Sequence, residues 1–80
     1  MKFYIKHSMT GRLRVHMDMK HMSFKQADIL EYYIKNIETV TSVKVYEKTC
    51  DAVIEFKGDK AQIINELKRF TYSQVVVPED

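Results

Sequence analysis

Along GRLRVHM, Leu13, Val15 and Met17 alternate with Arg12, Arg14 and His16, the two-residue period of a strand with one buried and one wet face. KFYIKH repeats the alternation with Phe3 and Ile5, and the SMTG between them reads as a bulge or bend joining two halves of one long strand. The period then changes. In SFKQADILEYYIKNI, Phe24, Ala27, Leu30, Ile34 and Ile37 fall three or four apart, and Ser23 followed by Gln26 has the form of a capping box, so a helix starts here. SVKVYEK and AVIEF return to the strand period, with Val43, Val45, Ala52, Ile54 and Phe56 on one side and Lys44 and Tyr46 on the other. Joined by TCD, they predict a hairpin. DKAQIINELKRF has an Asp59 cap, an apolar stripe of Ile63, Ile64, Leu67 and Phe70, and Lys68 and Arg69 in its last turn, where cations complement the helix dipole. QVVV, stopped by Pro78, predicts a short closing strand.

The resulting order, β, α, β, β, α, β, is that of a ferredoxin-like α+β sandwich, a four-stranded antiparallel sheet with two helices on one face. Eighty residues make one domain, 1–80. A chain this short buries only about 60% of its unfolded surface, which leaves room for a thin core and no deep cleft. The net charge of +2 is too small to argue for nucleic acid or an anionic membrane, so the distribution of charge carries that question. The sheet face turned from the helices gathers Arg12, Arg14, His16, Lys44, Tyr46, Lys48 and Lys57, with Glu55 as its main negative group. Arg12, Arg14, Lys44 and Tyr46 are the candidate docking residues for an acidic partner; the alternative is an ordinary solvated strand surface. The outward positions of the two central strands lack the pair of aromatic rings with which sheet-based RNA-recognition modules stack bases, so no nucleic-acid partner is expected.

Catalytic chemistry finds little purchase. There is no nucleophile beside a base, no glycine-rich phosphate loop, no zinc knuckle and no pair of carboxylates on one loop, so the domain is not read as an enzyme. The single cysteine, Cys50, cannot close an intrachain disulfide, and no signal segment opens the chain, which predicts a cytoplasmic setting. No apolar run nears the roughly 20 residues that cross a bilayer, so no membrane contact is expected of this segment itself.

The order of elements, the short passage from the first helix into ETVTSVKVYEKTCDAVIEF, and a first strand carrying Gly11–Arg14 resemble the heavy-metal-associated domain of copper chaperones and of the N-termini of heavy-metal P-type ATPases. The likeness covers nearly the whole chain and is nearest to a branch lacking the usual cysteine pair. It implies a regulatory or docking domain at the N-terminus of a longer transporter chain, with other cytosolic domains of that transporter as partners. The alternative is a freestanding small interaction or regulatory domain unrelated to metal. Counting back from Val40, the two cysteine positions of the family fall near Met22 and Lys25, neither of which supplies a thiolate. No cofactor is required. The one metal reading left is a weak Cu(I) site of Met19, His21 and Met22, against the plainer reading of an irregular loop with Met22 packed at the helix start. Cys50 is expected at an exposed hairpin tip, away from that loop.

Overall fold

The computed structural model describes residues 1–74. Its elements are β1 (Phe3–Met9), β2 (Arg12–Met17), α1 (Phe24–Lys35), β3 (Val40–Tyr46), β4 (Asp51–Phe56), α2 (Lys60–Arg69) and a short 3-10 turn, Tyr72–Gln74. The strands form one antiparallel sheet in the order β1-β2-β4-β3.

The element order is therefore ββαββα, which corrects the expected βαββαβ succession at its first step. SMTG does not carry one strand onward; it holds a reversal, and β1 folds back on β2 with Phe3 opposite Met17 and Met9 opposite Arg12. The reason is Gly11. Its φ of +76° lies in the left-handed region that a side chain disfavours, and a Cβ there would meet the Phe56 carbonyl oxygen at 3.3 Å. A register shift does occur, but inside β1, between Ile5 and His7, and not in SMTG. The closing strand expected at Gln74–Val77 lies outside the described residues beyond Gln74, which ends the 3-10 turn.

The helices begin where their caps require. The Ser23 hydroxyl accepts from Gln26 N at 3.0 Å while Gln26 Oε1 accepts from Ser23 N at 2.9 Å, completing the capping box. Asp59 Oδ1 accepts from Ala61 N at 2.9 Å at the head of α2. Both helices lie on one face of the sheet. Ala27, Leu30 and Ile34 of α1 and Ile63 and Leu67 of α2 pack with Leu13, Val15 and Met17 of β2 and Ala52, Ile54 and Phe56 of β4. Phe70 closes this core between Tyr33 and Tyr72, ring centroids 4.8 and 4.7 Å away, and Tyr33 Oη donates to the Glu66 carbonyl at 2.9 Å. Phe24 departs from the expected stripe: it sits at the first position of α1 and is 75% exposed.

Candidate functional site: the open face of the sheet

The strand registers turn the uncovered face into a grid. One row across the sheet is Tyr4, His16, Asp51 and Tyr46; the next is His7, Arg14, Val53 and Lys44; the third is Met9, Arg12, Glu55 and Ser42. The bulge in β1 adds a residue to the second row. Lys6 and His7, consecutive in sequence, both line the same surface cavity as Arg14, so one edge strand sends two neighbouring basic side chains to one side.

Asp51 organises the face. It stands on the uncovered side, where strand residues are ordinarily wet, and yet is wholly buried, because three basic side chains close over it. Lys6 Nζ and Arg14 Nη2 each donate to Oδ2 at 3.0 Å, and His16 Nδ1 lies 2.7 Å from Oδ1. Burial alone would raise the carboxyl pKa, but the hydrogen bonds from His16, Lys6 and Arg14, with the charge of Lys6, outweigh it and hold the group at about 2. Asp51 is then a carboxylate at neutral pH and accepts only, so His16 Nδ1 carries the proton. Tyr4 braces the imidazole from the edge, its ring 6.3 Å away and inclined by 16°. On the far side Lys44 Nζ lies 5.3 Å from the Tyr46 ring centroid, within cation–π range.

Arg12, Arg14, Lys44 and Tyr46 thus share the open face as read from the alternation. Arg14, however, is not simply directed to solvent; it is one of the clasps on Asp51. Asp51, Lys6, His7 and Tyr4 were missed. Tyr4, Lys6 and His7 join the face only because β1 is a separate strand that pairs with β2, which alternation does not reveal. Asp51 left one signal, an aspartate at a strand start, where Asp is disfavoured.

The structure sets the three candidate Cu(I) ligands Met19, His21 and Met22 in different surroundings. Met22 is 1% exposed and belongs to the core, Met19 packs against that core and its Sδ accepts from Tyr72 Oη at 3.5 Å, and His21 is exposed. Lys25, at the second position where the heavy-metal-associated family has cysteine, is exposed and cationic. Among the described residues no three His, Cys, Asp or Glu side chains converge.

Cys50 corrects two expectations. It is 4% exposed rather than open to solvent, and its carbonyl accepts from Met17 N at 2.8 Å, which sets the hairpin end against the end of β2. Its φ of +59° is left-handed. Burial, and then the negative charge of Asp51, push the thiol pKa up, away from the thiolate that nucleophiles and metal ligands need. Tyr72 beside it is pushed up to about 12, by burial first and by Cys50 second.

No family model, curated protein or solved structure matches the chain. No helix among the described residues is long and apolar enough to cross a membrane. The site defines a class by its own chemistry: a small α+β domain with a cationic sheet face built around one buried carboxylate.

Proposed function

We propose that the domain is a docking module that receives an acidic surface of a partner on its open sheet face, and that the partner is another cytosolic domain of a cation-translocating P-type ATPase. One observation carries the docking reading: buried Asp51 fixes Lys6, Arg14 and His16 in place on a face that no element among the described residues covers. Free lysine and arginine side chains lose up to about 2 kcal/mol of rotamer freedom when a partner immobilises them. Here two of them are already held, which lowers the cost of association, while Arg12, Lys44 and Lys48 stay exposed and add long-range attraction. The transporter setting is supported by the resemblance, and by the run β2-α1-β3-β4-α2, which follows the ferredoxin-like succession with β1 as an edge strand beside it. His16 and Asp51 form a dyad, but no hydroxyl or thiol nucleophile lies within hydrogen-bond reach of the imidazole among the described residues, so the arrangement favours holding over catalysis.

The docking reading is tested with a fluorescein-labelled oligoglutamate peptide followed by anisotropy. Arg12→Glu and Lys44→Glu together spare the Asp51 cluster and should weaken binding about tenfold, with the wild-type affinity falling steeply as salt rises. Binding that ignores both the substitutions and the salt would sink the proposal. The transporter setting is tested separately by the reading frame beyond Asp80: transmembrane helices there support it, and a frame without them removes it.

A further inference from the structure

The second and third rows of the open face contain a basic cup. A shallow cavity of about 430 Å³ is lined by Lys6, His7, Arg12 and Arg14 around Val53 and Met9, and no carboxylate is among its lining residues. His7 stands directly opposite Arg14 across the β1–β2 pair. Lys6 and Arg14 are compensated by Asp51 beneath them, but the side chains of His7 and Arg12 make no hydrogen bond or ion pair among the described residues, although Glu55 is the strand neighbour of Arg12. Basic groups crowded in this way repel one another, and like charges facing across strands are destabilising. An anion in the cup would relieve that repulsion and would meet donors from both strands.

The geometry points to a phosphate-monoester site, occupied by a phosphorylated side chain within an acidic segment of the partner. The inference rests on the docking reading and names what that docking recognises. A phosphomonoester carries close to two negative charges and three acceptor oxygens, which suits guanidinium groups arriving from one strand and a lysine and an imidazole arriving from its neighbour. Arg14 gives one N–H to Asp51 and keeps further donors of its planar fork for such a ligand, already oriented by that bond. Val53 and Met9 supply an apolar floor and wall for the carbon atoms that carry the phosphate. A single-stranded nucleic acid fits less well. Its diester charges are spread along a track rather than gathered at one point, and no aromatic ring is among the residues that line the cup.

The test compares two labelled peptides of the same glutamate-rich sequence, one with a central phosphoserine and one with glutamate in its place. Inorganic phosphate, adenosine monophosphate and a single-stranded oligonucleotide serve as further ligands. The phosphopeptide should bind at least about tenfold more tightly than its glutamate twin, and Arg12→Ala should remove most of that difference. Arg12 is exposed and outside the Asp51 cluster, so the variant should melt like the wild type, and Lys25→Ala, on a helix away from the cup, should bind like the wild type. Equal binding of the two peptides overturns the phosphate site and leaves the docking reading standing; binding of neither overturns both. Tighter binding of the oligonucleotide, or of free phosphate or adenosine monophosphate than of the phosphopeptide, also overturns the assignment and gives the cup to that ligand.

Discussion

The two faces of the sheet bury residues by different means. On the covered face Leu13, Val15 and Met17 of β2 and Ala52, Ile54 and Phe56 of β4 are sealed by helices, and any well-fitting apolar side chain could serve there. On the open face the only wholly buried residue among those described is Asp51, and what seals it is the basic side chains it attracts. The covered face is held by area removed from water, which is indifferent to pH. The open face is held by a few charge-assisted bonds, which are not. A strand pattern that reads simply as one side in and one side out therefore conceals two kinds of interior.

The largest effect that separates the faces is expected from Leu13→Ala. The side chain is fully buried between sheet and helices, so truncation removes its transfer free energy and leaves a cavity, at a cost of about 3 kcal/mol. For a domain of this size that lowers Tm by roughly 15 °C, and the loss should be the same at pH 7 and at pH 4.5. A small or strongly pH-dependent loss would mean that the covered face is not the apolar core described.

Asp51→Asn should cost less, about 2 kcal/mol, and should carry a pH signature. Folding lowers the Asp51 pKa from 3.8 to about 2, so the unfolded chain binds the proton more readily and the stability Asp51 supplies is present above pH 4. It is lost as pH falls through the interval between those two values. The difference in Tm between wild type and Asp51→Asn should therefore shrink toward zero as pH falls from about 4 to about 2. A gap that persists undiminished at low pH would show that the substitution acts through packing and not through the charge.

The covered face was legible because burial under a helix imposes a local rule on the sequence. Alternation places Leu13, Val15, Val43, Val45, Ala52 and Ile54 correctly, and Ser23 and Asp59 mark both helix starts, because each of these signals involves residues only a few positions apart. The reversal at SMTG was misread, since alternation tells which residues share a face and is silent on whether the chain continues or turns back between two alternating stretches. Thr10-Gly11 between the two stretches was the available turn signal. The open-face site was legible only in part. Arg12, Arg14, Lys44 and Tyr46 follow from alternation, whereas the clasp on Asp51 depends on the register of β2 against β4, which places His16 opposite a residue 35 positions later in the chain. No local pattern encodes that pairing.

The smallest effect sharpens the contrast within the open face itself, between a cation that is clasped and one that is free. From alternation alone, Arg14→Glu and Lys44→Glu should be equally harmless to folding, since both residues lie on strands and point away from the helices. The Asp51 cluster separates them. Arg14→Glu removes a 3.0 Å charge-assisted bond to the buried carboxylate and sets a second negative charge beside it, while the Lys6 ammonium and the His16 hydrogen bond remain on the original carboxylate. Arg14 is 46% exposed in its side chain, so the new carboxylate can turn partly to water, which keeps the cost near 1 kcal/mol. Lys44→Glu loses only a contact with the Tyr46 ring, and its effect should stay within about 0.5 kcal/mol. Chemical denaturation of the two single variants at neutral pH resolves the difference, and acidification sharpens it: protonating Asp51 removes the repulsion, so the Arg14→Glu penalty should fade below pH 4 while the Lys44→Glu effect shows no such link to Asp51. Equal stabilities at neutral pH would break the contrast, leaving Asp51 held by Lys6 and His16 with Arg14 as free a cation as Lys44.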